Sequence, residues 1–297
     1  MTDKNLMGSS PNRAEGLPWQ DDPLLRAAPP GHLVSIPERA LRQPKRRGGV
    51  PSPPLIAMLG VGRQAADIRV RLYLWLWAAL STRGFGELTI LRTTAEWALL
   101  VNALDPASVH HQQKRGLAAR RVSRAFDYLA EQRLISRPFP DTVRLLDPDR
   151  TGADYIPWST EVVRGRERQR DDLQRFWGER TDYRRSRVWE NAPLRFPSSL
   201  WTSGLISNLS GPALVVLMII WSYEPSPGVT FDIPKSRAYE FPVTHSTWHK
   251  GTTDLQAAGV VSRRQGALVF PAANANPRVS TDRFRVRWTL NHPALTR

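Results

Sequence analysis

Residues 243–261 read VTHSTWHKGTTDLQAAGVV. Thr244 is a side-chain cap of the type that opens helices, and no proline follows before Val261. Trp248, Thr252 and Leu255 recur at helical spacing and define an inward face. His245, Ser246, His249, Lys250 and Thr253 are left on the outward face. Gly259 supplies the stop, and Val260-Val261 begins an extended run. The expectation is a helix over Thr244–Ala258 that leaves directly into a strand.

Working outward, Gly266 marks a hairpin turn before Ala267–Phe270, and Arg283–Leu290 (RFRVRWTL) alternates with period two. Upstream, Ser210–Tyr223 (SGPALVVLMIIWSY) reads as an apolar helix with Ser210 as N-cap and Pro212 in its first turn. Val229–Ile233 reads as extended and Pro234–Glu240 as a short helix. In the first half, helices are expected over Ile68–Ser81, Thr93–Leu104 and Gly116–Gln132. Leu134-Ile135 then opens an extended segment, with Val143–Leu146 as its partner strand.

The two halves echo each other. At an offset of 143, Leu74-Trp75-Leu76-Trp77 falls on Leu217-Met218-Ile219-Ile220, and Leu88-Thr89-Ile90 on Phe231-Asp232-Ile233. At an offset of 126, Val122 falls on Trp248, Leu129 on Leu255, and Leu134-Ile135-Ser136-Arg137 on Val260-Val261-Ser262-Arg263. The change of 17 is one insertion in the first copy. Leu33-Val34-Ser35-Ile36-Pro37 likewise resembles Pro193-Leu194-Arg195-Phe196-Pro197.

Each copy thus reads helix, short strand, helix, helix, β-hairpin. The run from Val243 to Gly251, followed by Leu255 and Gly259-Val260-Val261, resembles the third helix and wing entry of the winged helix-turn-helix family. Leu117-Ala118, Val122, Leu129 and Arg133-Leu134-Ile135 match the same pattern, with Arg133 where glycine is usual. The resemblance spans about 68–150 and 192–292. It implies a mainly α fold with small β-hairpins (α+β), in which two winged-helix domains are joined by a charged connecting helix. The expected division is a disordered tail over 1–30 and a first winged-helix domain over 31–157, with an insertion near 100–115. A connecting helix over 158–191 and a second winged-helix domain over 192–297 complete it.

The family resemblance implies that the outward faces of the two third helices meet DNA, with wings touching phosphate. In the first copy Val122, Ala125, Phe126 and Leu129 point inward. Arg120, Ser123, Arg124 and Asp127 point outward, with Arg121 at the edge. Lys114, Arg115, Arg137 and Arg144 extend the basic surface, as do Arg263 and Arg264 on the second wing and the run Lys45-Arg46-Arg47. From Lys114 to Arg137 there are seven basic and two acidic residues.

Composition agrees with a polyanionic partner. The 297 residues carry 42 Lys+Arg against 27 Asp+Glu, a net charge of +15, and 37 of the basic residues are arginine. Arginine binds phosphate and guanine bidentately; a GC-rich genome also favours it over lysine, but does not account for the net charge. The excess is concentrated in Arg39–Arg71, with eight basic residues and one acidic. Thr160–Glu190, in contrast, is nearly balanced, with nine Arg and seven Asp+Glu.

Other chemistries find little support. There is no cysteine, which removes disulfides, thiolate catalysis and zinc fingers. His245 and His249 have a spacing that can grip a metal, yet no glutamate follows His245 as in a metalloprotease. Neither a phosphate loop nor a Gly-x-Ser-x-Gly elbow occurs. No cofactor, metal site or catalysis is expected. The longest apolar runs are about half a membrane span, so no membrane partner is expected. The expected function is sequence-specific binding of double-stranded DNA as a transcriptional regulator in the cytoplasm, nucleoid-associated. A plasmid or phage replication initiator and a winged-helix protein-interaction module are the alternatives, and homodimer formation is left open.

Overall fold

A computed structural model describes residues 33–42, 52–60, 63–83, 88–89, 93–104, 111–137, 142–146, 194–223, 230–233, 241–267 and 284–291. The expected tail over 1–30, the expected connecting helix over 158–191, the helix expected over Pro234–Glu240 and the run Lys45-Arg46-Arg47 lie outside the described residues. Among the described residues the fold is mainly helical with small antiparallel strand pairs.

The first half runs β1 (Leu33–Ile36), α1 (Pro54–Ala57), α2 (Arg63–Arg83), β2 (Leu88–Thr89), α3 (Thr94–Leu100), α4 (Gln112–Glu131), β3 (Ile135–Ser136) and β4 (Thr142–Leu145). The second runs β5 (Leu194–Pro197), α5 (Ser199–Thr202), α6 (Leu205–Asn208), α7 (Gly211–Tyr223), β6 (Phe231–Asp232), α8 (His245–Ala257), β7 (Val261–Ala267) and β8 (Phe284–Leu290). Three-stranded sheets of order β2-β4-β3 and β6-β8-β7 repeat one pattern, in which the last strand lies between the other two. A third sheet pairs β1 with β5, one strand from each half.

The middle of α2 and most of α7 are apolar on all sides because they are covered on all sides. From Leu72 to Ala79, and from Ala213 to Ile220, every side chain is buried. Such helices owe their stability to tertiary packing rather than to a single apolar stripe. The buried residues of both halves form one contiguous cluster, and α2 packs directly against α7.

Buried polar groups stitch this joint. Arg71 of α2 is 8% exposed, and donates from Nε to the Leu209 carbonyl and from Nη1 to the Val101 carbonyl, both at 3.0 Å. Burial pushes its guanidinium below the ordinary arginine range, with Asp67 acting in the opposite direction. The Trp75 indole donates to Ser207 Oγ at 3.3 Å, and Ser207 Oγ in turn donates to the Leu100 carbonyl at 2.5 Å. The Trp201 indole donates to the Leu74 carbonyl at 3.2 Å. At the start of α7, Asp67 Oδ1 accepts from the Gly211 N–H at 2.6 Å, and Ser210 Oγ caps the helix by accepting from the Ala213 N–H at 3.3 Å.

Both α4 and α8 end in the same way. The Leu134 N–H reaches the Leu129 carbonyl at 2.9 Å, and the Val260 N–H reaches the Leu255 carbonyl at 3.0 Å. Arg133 donates to Ala130, and Gly259 to Gln256. These are Schellman turns with an apolar pair closing each. The turn needs a left-handed residue, and φ is +53° at Arg133 and +68° at Gly259. Arg133, the residue that departs from the expected glycine, therefore adopts the glycine conformation at a backbone cost of about 1–2 kcal/mol. Arg133→Gly should raise stability by about 0.5–1 kcal/mol, and Gly259→Ala should lower it by about 1–2 kcal/mol. Urea denaturation of the two variants checks both signs.

Candidate nucleic-acid interface

Helix α4 buries Ala118, Val122, Ala125, Phe126 and Leu129, a face repeating at three and four residues. The helix begins at Gln112, four residues before the expected Gly116. From His111 to Leu117 every side chain is exposed, so the first turns of α4 project beyond the core. Leu117 is 45% exposed and lies on the same outer stripe as Gln113, Arg120 and Arg124, by i, i+3, i+4 and i+7 spacing. Leu117 lies inside the helix, as expected, but one turn further from its start.

Arg120, Arg121 and Arg124 are exposed, and Ser123 is half-buried. Arg120 Nε donates to the Gly116 carbonyl one turn back at 3.3 Å. Among the described residues neither Arg121 nor Arg124 has an ion-pair partner. Lys114 and Arg115 are exposed on the projecting turns. Arg137, just beyond β3, stacks over Phe126 at 5.5 Å and approaches Asp127 at 3.8 Å. Arg144 is half-buried on β4, opposite Ser136.

Helix α8 offers a different surface. Thr244 caps it by accepting from the Thr247 N–H at 3.2 Å. Gly251, Thr252 and Leu255 are buried; the Thr252 hydroxyl is satisfied by the His249 carbonyl at 3.0 Å. Trp248 is partly buried and meets Trp288 of β8 edge-on, with ring centroids 5.9 Å apart. His245, Ser246, His249 and Thr253 are exposed and Lys250 is half-buried. The His245 and His249 rings stack at 6.4 Å. Among the described residues no group of three or more His, Asp or Glu could hold a metal ion. Asp254 accepts from the Ser210 hydroxyl at 2.5 Å. On β7 Arg263 lies over Trp288 at 6.0 Å. Arg264 faces Arg287 in the β7–β8 register.

The two surfaces thus differ in chemistry. That of α4 is cationic and long, whereas α8 presents hydroxyls, imidazoles and one lysine. Close packing fixes α8 against α7. A Cβ at Gly251 would fall 2.6 Å from the Pro212 carbonyl oxygen and 2.7 Å from Val216 Cγ2.

Of the cations concentrated in Arg39–Arg71, Arg71 is buried and Arg42 and Arg69 are half-buried against aromatic rings. Arg71 is spent on two carbonyls at the joint. Arg69 lies 3.8 Å from the centre of the Tyr128 ring. Arg42 pairs with Glu38 and stacks on Phe241 at 5.2 Å. Guanidinium groups bury readily on aromatic faces because they are weakly hydrated, and nothing in local charge counting distinguishes them from solvent-facing ones. Among the described residues no helix is long and apolar enough to cross a membrane. The chain matches no family model, no curated protein and no solved structure.

Proposed function

We propose that the chain binds double-stranded DNA site-specifically, as a transcriptional regulator, through two winged-helix units whose third helices are α4 and α8. One observation carries the reading. In each half a helix with an exposed polar face leaves through a Schellman turn into a hairpin, and the last strand of that hairpin pairs with the short strand after the half's buried helix. That is the strand order expected of a winged helix, and it occurs twice in a chain of net charge +15.

Major-groove reading assigns Arg120 and Arg124 to guanine or phosphate and leaves Leu117 facing thymine methyl groups. Arg121, Lys114, Arg115, Arg137 and Arg263 supply backbone contacts, with Arg144, Arg264 and the Lys45–Arg47 run flanking them. Ser246, His249, Lys250 and Thr253 supply hydrogen bonds from α8, with His245 at its start.

The test is the Arg120→Ala, Arg124→Ala double variant against duplexes enriched from a random library at fixed salt. Each lost base contact should cost about 1–3 kcal/mol, and each lost phosphate contact should reduce the salt slope by about 1. Both side chains are exposed, so the unfolding midpoint should not move. Unchanged affinity and slope in a folded variant would remove α4 from the interface.

A further inference from the structure

We infer that a local two-fold axis relates the two halves, so that the chain presents α4 and α8 to the duplex in opposite orientations, as a dimer would. This rests on the DNA-binding reading above. The first observation is the β1–β5 pair. Its register sets Ser35 opposite Arg195, Val34 opposite Phe196 and Ile36 opposite Leu194. In the sequence echo Ser35 corresponds to Arg195, Val34 to Leu194 and Ile36 to Phe196. Corresponding residues therefore face each other at the centre of the ladder. Exchanging the two strands turns Val34 opposite Phe196 into Leu194 opposite Ile36, which is also present. A strand segment that pairs with its own counterpart in this way is isologous, and isologous pairing requires a two-fold rotation.

A second contact falls on the same kind of centre. Position 67 corresponds to position 210 at the offset of 143, and Asp67 Oδ1 accepts from the neighbouring Gly211 N–H at 2.6 Å. The starts of α2 and α7 thus meet each other. Between these centres the buried bonds of Arg71, Trp75, Trp201 and Ser207 hold the halves through the core. Helix α4 packs on α2, and α8 packs on α7. A two-fold rotation that exchanges α2 with α7 therefore carries α4 to the place of α8, at equal height along the axis and with reversed direction. Duplex DNA has dyads of its own perpendicular to its length, and two-fold proteins meet them with half-sites about one helical turn apart.

The outward residues of α4 and α8 differ, so the two half-sites differ in bases and their inversion is hidden in any natural target. It can be uncovered. At the offset of 126, His245, Ser246, His249, Lys250 and Thr253 correspond to Ala119, Arg120, Ser123, Arg124 and Asp127. A full-length chain carrying H245A, S246R, H249S, K250R and T253D gives α8 the residues that α4 carries at Ala119, Arg120, Ser123, Arg124 and Asp127.

Selection of this variant on random duplex DNA should enrich an inverted repeat. Native mass spectrometry should find one chain per duplex. Inserting about 5 bp between the halves, half a turn, should weaken binding at least tenfold. A direct repeat, a lone half-site, two chains per duplex or indifference to the insertion would overturn the inference while leaving DNA binding intact. If neither the wild-type chain nor the variant enriches any duplex, the DNA-binding reading fails and takes this inference with it. If the variant does not fold, phosphate-ethylation interference on the wild-type target decides the question. Contacted phosphates that lie on opposite strands in the two halves, related by inversion about the centre of the site, support the axis, and contacts that repeat on the same strand overturn it.

Discussion

Replacing Arg71 with alanine should lower the unfolding free energy by about 2–5 kcal/mol, from two buried carbonyls left without donors and the space its side chain vacates. The side chain is 8% exposed and satisfies carbonyls of both halves, Val101 of the first and Leu209 of the second. Its loss leaves two buried acceptors without donors, each costing about 1–3 kcal/mol, and opens space between α2 and α6. Arg71→Lys should recover only part of the loss, because one ammonium on a flexible stem does not reproduce a planar fork spanning two carbonyls. Equilibrium urea unfolding followed by tryptophan fluorescence checks this; the reporters at the joint, Trp75 and Trp201, sit one in each half. Since the core is continuous, the transition should remain single while moving to lower urea. A loss below about 1 kcal/mol would mean that water replaces the guanidinium without strain.

The second large effect is expected at Gly251. An alanine Cβ there falls 2.6 Å from the Pro212 carbonyl oxygen, which is backbone and cannot swing away, and 2.7 Å from Val216. Helix α8 must therefore move off α7, at an overpacking cost of about 2–3 kcal/mol. The corresponding position in α4 is Ala125, which already carries a Cβ and is buried at 2% exposure. Ala125→Gly should cost only about 1 kcal/mol, mostly through helix propensity. The asymmetry between the two substitutions, read from paired thermal melts, separates the close α7–α8 crossing from the looser seat of α4. On the DNA-binding reading, Gly251→Ala should also weaken half-site contacts made by α8 and leave those of α4 unchanged. Equal losses from both helices would contradict that division.

Local signals were legible where they were governed by spacing. The inward positions Val122, Ala125, Phe126 and Leu129 of α4, and Thr252 and Leu255 of α8, follow from helical periodicity and are buried. Ser210 was recognisable as a cap, and Gly259 as a helix stop. The start of α4 was not legible: the sequence pattern opens at Gly116, four residues late. The projecting turn that precedes it has no apolar periodicity to reveal it. Gly251 carried no signal either, since a glycine inside a helix shows its purpose only when the neighbouring backbone is in place.

The sequence by itself determined the longer helices, their buried faces, the cap at Ser210, the stop at Gly259 and the excess of positive charge, because each depends on residues a few positions apart. It also held the likeness between Leu33–Pro37 and Pro193–Pro197. Only the tertiary structure decided that these two segments pair with each other, about 160 residues apart, and that Arg42, Arg69 and Arg71 turn into the protein while Arg121 and Arg124 stay outside. Which cation faces solvent depends on whether an aromatic face or an unsatisfied carbonyl from a distant segment lies within reach. That is a property of packing, and local sequence pattern does not carry it.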